Sequence, residues 1–343
     1  MFVGLLIASV YLPVDGFYLA IMLYNGLLIV GYRMLQGNSK LQLFIKEFVP
    51  FIQANLILST LLMLLFYDHE LMYSFNLLLT AVIYFSMIFV SKKQSYHFVF
   101  TAMLIYGVYQ LVENSILQGV SEVAFALLGV LFLALPKFLN EAGALQKVFQ
   151  ITSAIVSSLA FLYISFEGLI LRMGEGSIVL LIAYVIISLN FAYLASLVKN
   201  KLFNYLSPIF LVSALYQLTL LGQEWLSYES IILPGFILAY LLYILGGCLG
   251  NGSLWKPLKS STRDVSSLVM MVCILGCLVS FMNLELSIML LLTSLLALIM
   301  YKNEKRGNFA QIAPWIHGIA LSFAVTVFYI YIAQQDSMLF EDV

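Results

Sequence analysis

Residues 77–111 read LLLTAVIYFSMIFV, then SKKQSY, then HFVFTAMLIYGVYQL. Two apolar runs, extending to 71–90 and 96–112, flank a short polar turn that carries Lys92 and Lys93. As α-helices rising about 1.5 Å per residue, each run comes close to the roughly 30 Å needed to cross a bilayer's hydrocarbon core. The stretch is a predicted transmembrane hairpin with a basic tip. Working outward from it, the same plan recurs along most of the chain.

Composition agrees. Of 343 residues, 63% are hydrophobic and only 10% charged, whereas soluble domains carry roughly a quarter charged residues. Lipid must therefore be the solvent for most of the surface. The net charge is −1, and the basic residues are scattered through short turns, so the stripe of cations that nucleic acid requires is missing and no nucleic-acid partner is expected. Membrane lipid and other membrane subunits are the partners this composition suits.

Cys248, Cys273 and Cys277 lack C-x-x-C spacing. Cys273 and Cys277 share a helix face beside Gly276, which suits close helix packing. His69, His97 and His317 stand far apart and outside any H-E-x-x-H pattern, so neither a metal nor another cofactor is expected. The glycines at 246–252 are not followed by the Lys-Ser/Thr of a phosphate loop, and no G-x-S-x-G occurs, so no catalytic residue is assigned.

Taken in order, the apolar runs are 17–32, 48–66, 71–90, 96–112, 119–136, 148–166, 178–198, 202–221, 231–249, 268–282, 288–301 and 312–333. These predict an all-α, polytopic membrane bundle of about twelve spans arranged as tandem hairpins, with 1–13 a thirteenth. At about 1.5 Å per residue that first run reaches only about 20 Å, so it is expected to be either a short incomplete span or the remainder of a longer chain. The longest tip is read as the loop GNGSLWKPLKSSTRDVSS, 250–267. Nothing resembles a soluble domain, and one transmembrane domain covers 1–343.

Alternate loops differ sharply in charge. Arg33, Lys40, Lys46, Lys92, Lys93, Lys137, Lys147, Lys199, Lys201, Lys256, Lys259, Arg263, Lys302, Lys305 and Arg306 fall on one side, and Arg172 alone on the other. By the positive-inside rule the basic tips are cytoplasmic and the acidic C-terminal tail is outside. The layout resembles that of several bacterial membrane proteins, which implies a cytoplasmic membrane.

The hairpins also keep register. Lys92 and Lys199, and Tyr109-Gln110-Leu111 and Tyr216-Gln217-Leu218, are each separated by 107 residues, as in a duplication with units near 17–112, 119–221 and 231–333. Span length and short loops would impose a similar period without duplication.

Residues that could carry function are few, because ionisable groups are costly in lipid. Glu122 lies about one turn inside its run, Glu113 ends the preceding helix, and Glu224 has a comparable outer position. Gln110 and Gln217 each follow a tyrosine and precede a glutamate. Gln110, Glu113, Glu122, Gln217 and Glu224 are the candidate substrate-binding residues, the carboxylates forming an outward vestibule for a cation or cationic head group; the simpler reading, which carries more weight, is that acids merely populate the non-cytoplasmic loops. Asn25, Gln53, Asn55, Asn76 and Asn190 read as interhelical hydrogen-bonding groups. No proline falls at mid-membrane, where many transporters break their helices.

Three functions fit: a transporter or flippase-type permease, favoured by span number; a non-catalytic scaffold or accessory subunit of a membrane complex; and, least supported, an enzyme acting on lipid-linked substrates. The topology is directly testable. In a background lacking the native cysteines, single cysteines at Glu70 and Glu229 should react with an impermeant thiol reagent on intact cells. Those at Lys93 and Lys201 should not, and their labelling would invert the scheme.

Overall fold

The computed structural model describes residues 14–37, 42–65, 70–91, 93, 95–138, 144–168, 175–198, 201–226, 230–248, 258–303 and 307–341. Residues 1–13, with the short first run, lie outside them. Among the described residues there are twelve α-helices and no strand. These are α1 (Val14–Leu35), α2 (Gln42–Leu65), α3 (Glu70–Ser91), α4 (Ser95–Glu113), α5 (Ser121–Phe138) and α6 (Ala144–Phe166), then α7 (Ile178–Val198), α8 (Lys201–Leu226), α9 (Ile232–Cys248), α10 (Leu258–Val279), α11 (Asn283–Asn303) and α12 (Gly307–Glu341). All but α4 and α9 are long and apolar enough to cross a membrane. Helix α9 has only 17 residues, and α4 carries His97 and Gln110 among its apolar side chains. The chain is an all-α polytopic membrane protein.

Most of the helices are longer than their apolar runs; α7 matches its run, α5 is the same length but displaced, and α9 is shorter. The clearest correction concerns 250–267, read as a loop: its second half is the start of α10. Leu258, Ser261, Thr262, Val265, Ser266 and Met270 are buried, which is helical spacing built from small hydroxyl side chains instead of large apolar ones. Those hydroxyls bond back along the helix, Ser266 Oγ donating to the Thr262 carbonyl (2.7 Å) and Ser267 Oγ to that of Arg263 (2.8 Å). The Ser266 and Ser267 hydroxyls therefore need no acceptor outside their own helix.

By internal contacts the chain divides into two compact units, Met1–Leu162 and Tyr163–Val343. In the first, α1 packs on α2 and α3, and α3 pairs closely with α4. Gly107 of α4 makes that pairing close: a Cβ there would stand 3.0 Å from Leu78 Cδ2 and 3.1 Å from Leu77 Cβ. Asn25 Nδ2 donates to Ser59 Oγ (2.9 Å), Asn55 donates to Asn25, and Tyr84 OH donates to Thr60 Oγ1 (3.2 Å), so polar side chains tie α1 to α2 and α2 to α3. Helix α6 joins through Phe149, whose ring meets His97, Phe100, Phe85 and Phe132.

In the second unit the extensive pairings are α7 with α8, α9 with α10, and α11 with α12. A buried cluster of Phe236, Tyr243, Met270, Cys277, Leu286 and Met289 fills the space among α9, α10 and α11. The turn from α10 to α11 is tight: Met282 N donates to the Cys277 carbonyl (3.2 Å), and Phe281 adopts φ 54°. This is a Schellman-type stop with phenylalanine where glycine is the usual residue. The left-handed conformation costs a side-chain-bearing residue about 1–2 kcal/mol, and the Phe281 ring, 83% exposed, returns little packing. Replacing Phe281 with Gly should therefore raise stability by up to about 1 kcal/mol, read as a higher thermal midpoint in detergent; a lowered midpoint would show that the ring matters more than the backbone.

Candidate functional site

Within the first unit, the three candidate residues sit at one end of the α4–α5 pair. Gln110 lies in the closing turns of α4, where its Nε2 donates to Tyr106 OH (3.2 Å). Asn114 Nδ2 donates to both the backbone oxygen (2.9 Å) and Oε1 (3.0 Å) of Gln110. Half-buried Glu113 is the last residue of the helix. A short 3₁₀ turn, Ile116–Val120, then reverses the chain, capped by Ser115 Oγ, which accepts Leu117 N (3.2 Å). Glu122 follows in the first turn of α5, fully buried, with Ser121 Oγ donating to its Oε2 (3.1 Å). A carboxylate there meets the positive end of the helix dipole, which is a local reason for an acid at this depth.

In the second unit, Gln217 and Glu224 stand two turns apart on α8 and serve one purpose. Gln217 Oε1 accepts the backbone N–H of Ser177 (3.2 Å), and Glu224 Oε1 accepts that of Gly176 (3.1 Å). These donors belong to the strand of chain that leads into α7, whose start Ser177 itself caps by accepting Leu180 N (3.4 Å). Gly176 fits because its Cα lies almost on the α8 backbone: a Cβ would come within 2.8 Å of Leu221 N. Gln110 and Gln217, aligned by the 107-residue offset, thus have different partners, one within its own helix and the other across a hairpin.

Two features were hidden in the sequence. The first is a charged cluster on α10. Arg263 Nη2 donates to Tyr243 OH (2.8 Å), its guanidinium carbon lies 4.6 Å from the Tyr243 ring centre, and Tyr205 OH donates to Asp264 Oδ2 (2.9 Å). Charge asymmetry alone places Arg263 among the basic tip residues; the helical spacing of small side chains around it is the signal for its place on α10. The second is a groove of about 450 Å³ between α1 and α3, lined by Ile29, Val30, Arg33, Met34, Phe85, Ser86 and Phe89. Its walls are apolar except for Arg33 and Ser86, and Ser86 Oγ donates to the Val82 carbonyl (3.0 Å). No single-helix pattern announces it, because it is a gap between two helices.

His97 and His317 take packing positions, and His69 lies outside the described residues. His97 is fully buried, with Nε2 2.8 Å from Thr152 Oγ1 and its ring 4.6 Å from that of Phe149. His317 Nδ1 lies 2.7 Å from Ser294 Oγ. Among the described residues no three His, Cys, Asp or Glu side chains gather as a metal site would need.

The contrast between the two glutamines gives a test. Substituting Gln217 by Leu strands the Ser177 N–H and should cost about 1–3 kcal/mol. The same change at half-exposed Gln110 should cost no more than about 0.5 kcal/mol. Thermal unfolding in detergent reads both, and equal losses would refute the assignment of Gln217 to the α7 start.

Comparison of the chain with protein-family models, with curated proteins and with solved structures finds no match in any of the three.

Proposed function

We propose that this chain is a permease of the transporter or flippase class. The observation that carries the reading is the α1–α3 groove: apolar along its walls, with Arg33 as its charged member. Such a groove suits an amphipathic molecule that reaches it sideways from lipid, and among the described residues ten helices are long and apolar enough to cross a membrane. In this reading the cytoplasmic side holds the groove, and Gln110, Glu113 and Glu122 receive the polar part of the substrate at the outer side. Gln217 and Glu224 hold the start of α7 within the second unit.

A scaffold role is the second reading, favoured by α12. Only 11% of the most apolar 18-residue part of its stretch Gln311–Gln334 is buried, and Trp315, Phe323 and Tyr329 are exposed along it. Lipid covers such a surface as readily as a partner subunit does, which is why the groove weighs more.

The experiment is leaflet exchange. The purified chain in liposomes should expose fluorescent-headgroup phospholipid of the inner leaflet to a membrane-impermeant reductant faster than protein-free liposomes do. Val30→Trp, which fills the groove, should abolish the gain, and Glu122→Gln should slow exchange more than Glu70→Gln. A wild-type rate equal to that of empty liposomes would overturn the permease reading in favour of the scaffold, and equal effects of the two glutamate changes would return Glu122 to a purely local role.

A further inference from the structure

We infer that the α1–α3 groove is a binding site for one anionic phospholipid, its acyl chain along Ile29, Val30, Met34, Phe85 and Phe89 and its phosphate at Arg33. This rests on the permease reading only in naming the substrate class of the same groove. A volume of about 450 Å³ falls within the roughly 300–1,000 Å³ of typical small-molecule sites.

The apolar walls exclude a free anion as the occupant, since a phosphate ion would desolvate against aliphatic and aromatic surface and gain a single charge partner in return. An uncharged lipid satisfies the walls equally well. Yet in a bilayer the acyl chain gains nothing by leaving neighbouring chains for the groove, because lipid tails are as apolar as the side chains that line it. Selection therefore falls on the head group. Arg33 is exposed in the last turn of α1, and a guanidinium presents paired N–H donors matched to phosphate oxygens; a zwitterionic head group offers the same phosphate but brings its own cation, so the net negative charge of the lipid makes the difference.

The surroundings agree in sign. Lys93 follows α3 by two residues and is exposed, at the same end of the unit as Arg33, because α1 and α3 run in the same sense in the alternating topology. Among the described residues no acidic side chain lines the groove. By the charge asymmetry of the loops this end faces the cytoplasm, whose leaflet carries the anionic lipids.

The test measures binding, not transport. The full chain, delipidated in a neutral detergent, is titrated with phosphatidylglycerol and with phosphatidylcholine of identical chains, and bound lipid is counted by native mass spectrometry. One basic residue near a membrane surface contributes about 1 kcal/mol toward an anionic lipid, so phosphatidylglycerol should bind about fivefold more tightly. Arg33→Gln should erase the preference while phosphatidylcholine still binds, Val30→Trp should remove both lipids, and Lys302→Gln on α11 should change neither. No preference in the wild type, or a preference that survives Arg33→Gln, overturns the inference. So does displacement by inorganic phosphate alone, which would mark a free-anion site. Selective binding without leaflet exchange would overturn the permease reading and leave the lipid site standing; exchange without head-group preference would overturn this inference alone.

Discussion

Everything in this molecule follows from the absence of water around most of its surface. A backbone N–H or carbonyl left unpaired in hydrocarbon costs several kcal/mol, so the crossing segments are helical and the places where a helix starts or stops must find partners. The Gly176–Ser177 segment shows the rule at work: its two donors lie where α7 has not yet begun, and α8 supplies Gln217 and Glu224 to receive them. The same rule governs the side chains of the first unit, where Asn25, Asn55 and Ser59 satisfy one another between α1 and α2.

Fold class was legible because its signal is coarse. A run of about twenty apolar residues needs no tertiary context to be recognised, and each of the twelve runs corresponds to a helix. Helix limits were less legible, since an apolar run marks the stretch inside hydrocarbon while helical hydrogen bonding continues beyond it. Residues 258–267 illustrate this: Ser261, Thr262 and Ser266 fill core positions that hydropathy assigns to water.

The site was legible only as a set of residue types. Sequence pointed to Glu122 and Gln217 as unusual, and both are buried, but it could not say whether burial served a ligand or the backbone. Gln217 spends its oxygen on Ser177, a partner forty residues away that no local pattern reveals. The groove was illegible for a different reason. Ile29, Val30, Phe85 and Phe89 are ordinary membrane-helix residues, and only the spacing of α1 from α3 turns them into walls with Arg33 among them.

The hairpin lock between α7 and α8 also bears on biogenesis. A ribosome delivers α7 first, and at that moment the N–H groups of Gly176 and Ser177 have neither Gln217 nor Glu224 to receive them, since both lie near the far end of α8. Until α8 exists, water is the partner left to those two N–H groups, so the start of α7 reaches its final hydrogen bonding only when the second helix of the pair is made. The pair is then the unit that completes its own hydrogen bonds, with the close seat of Gly176 against Leu221 finishing the lock.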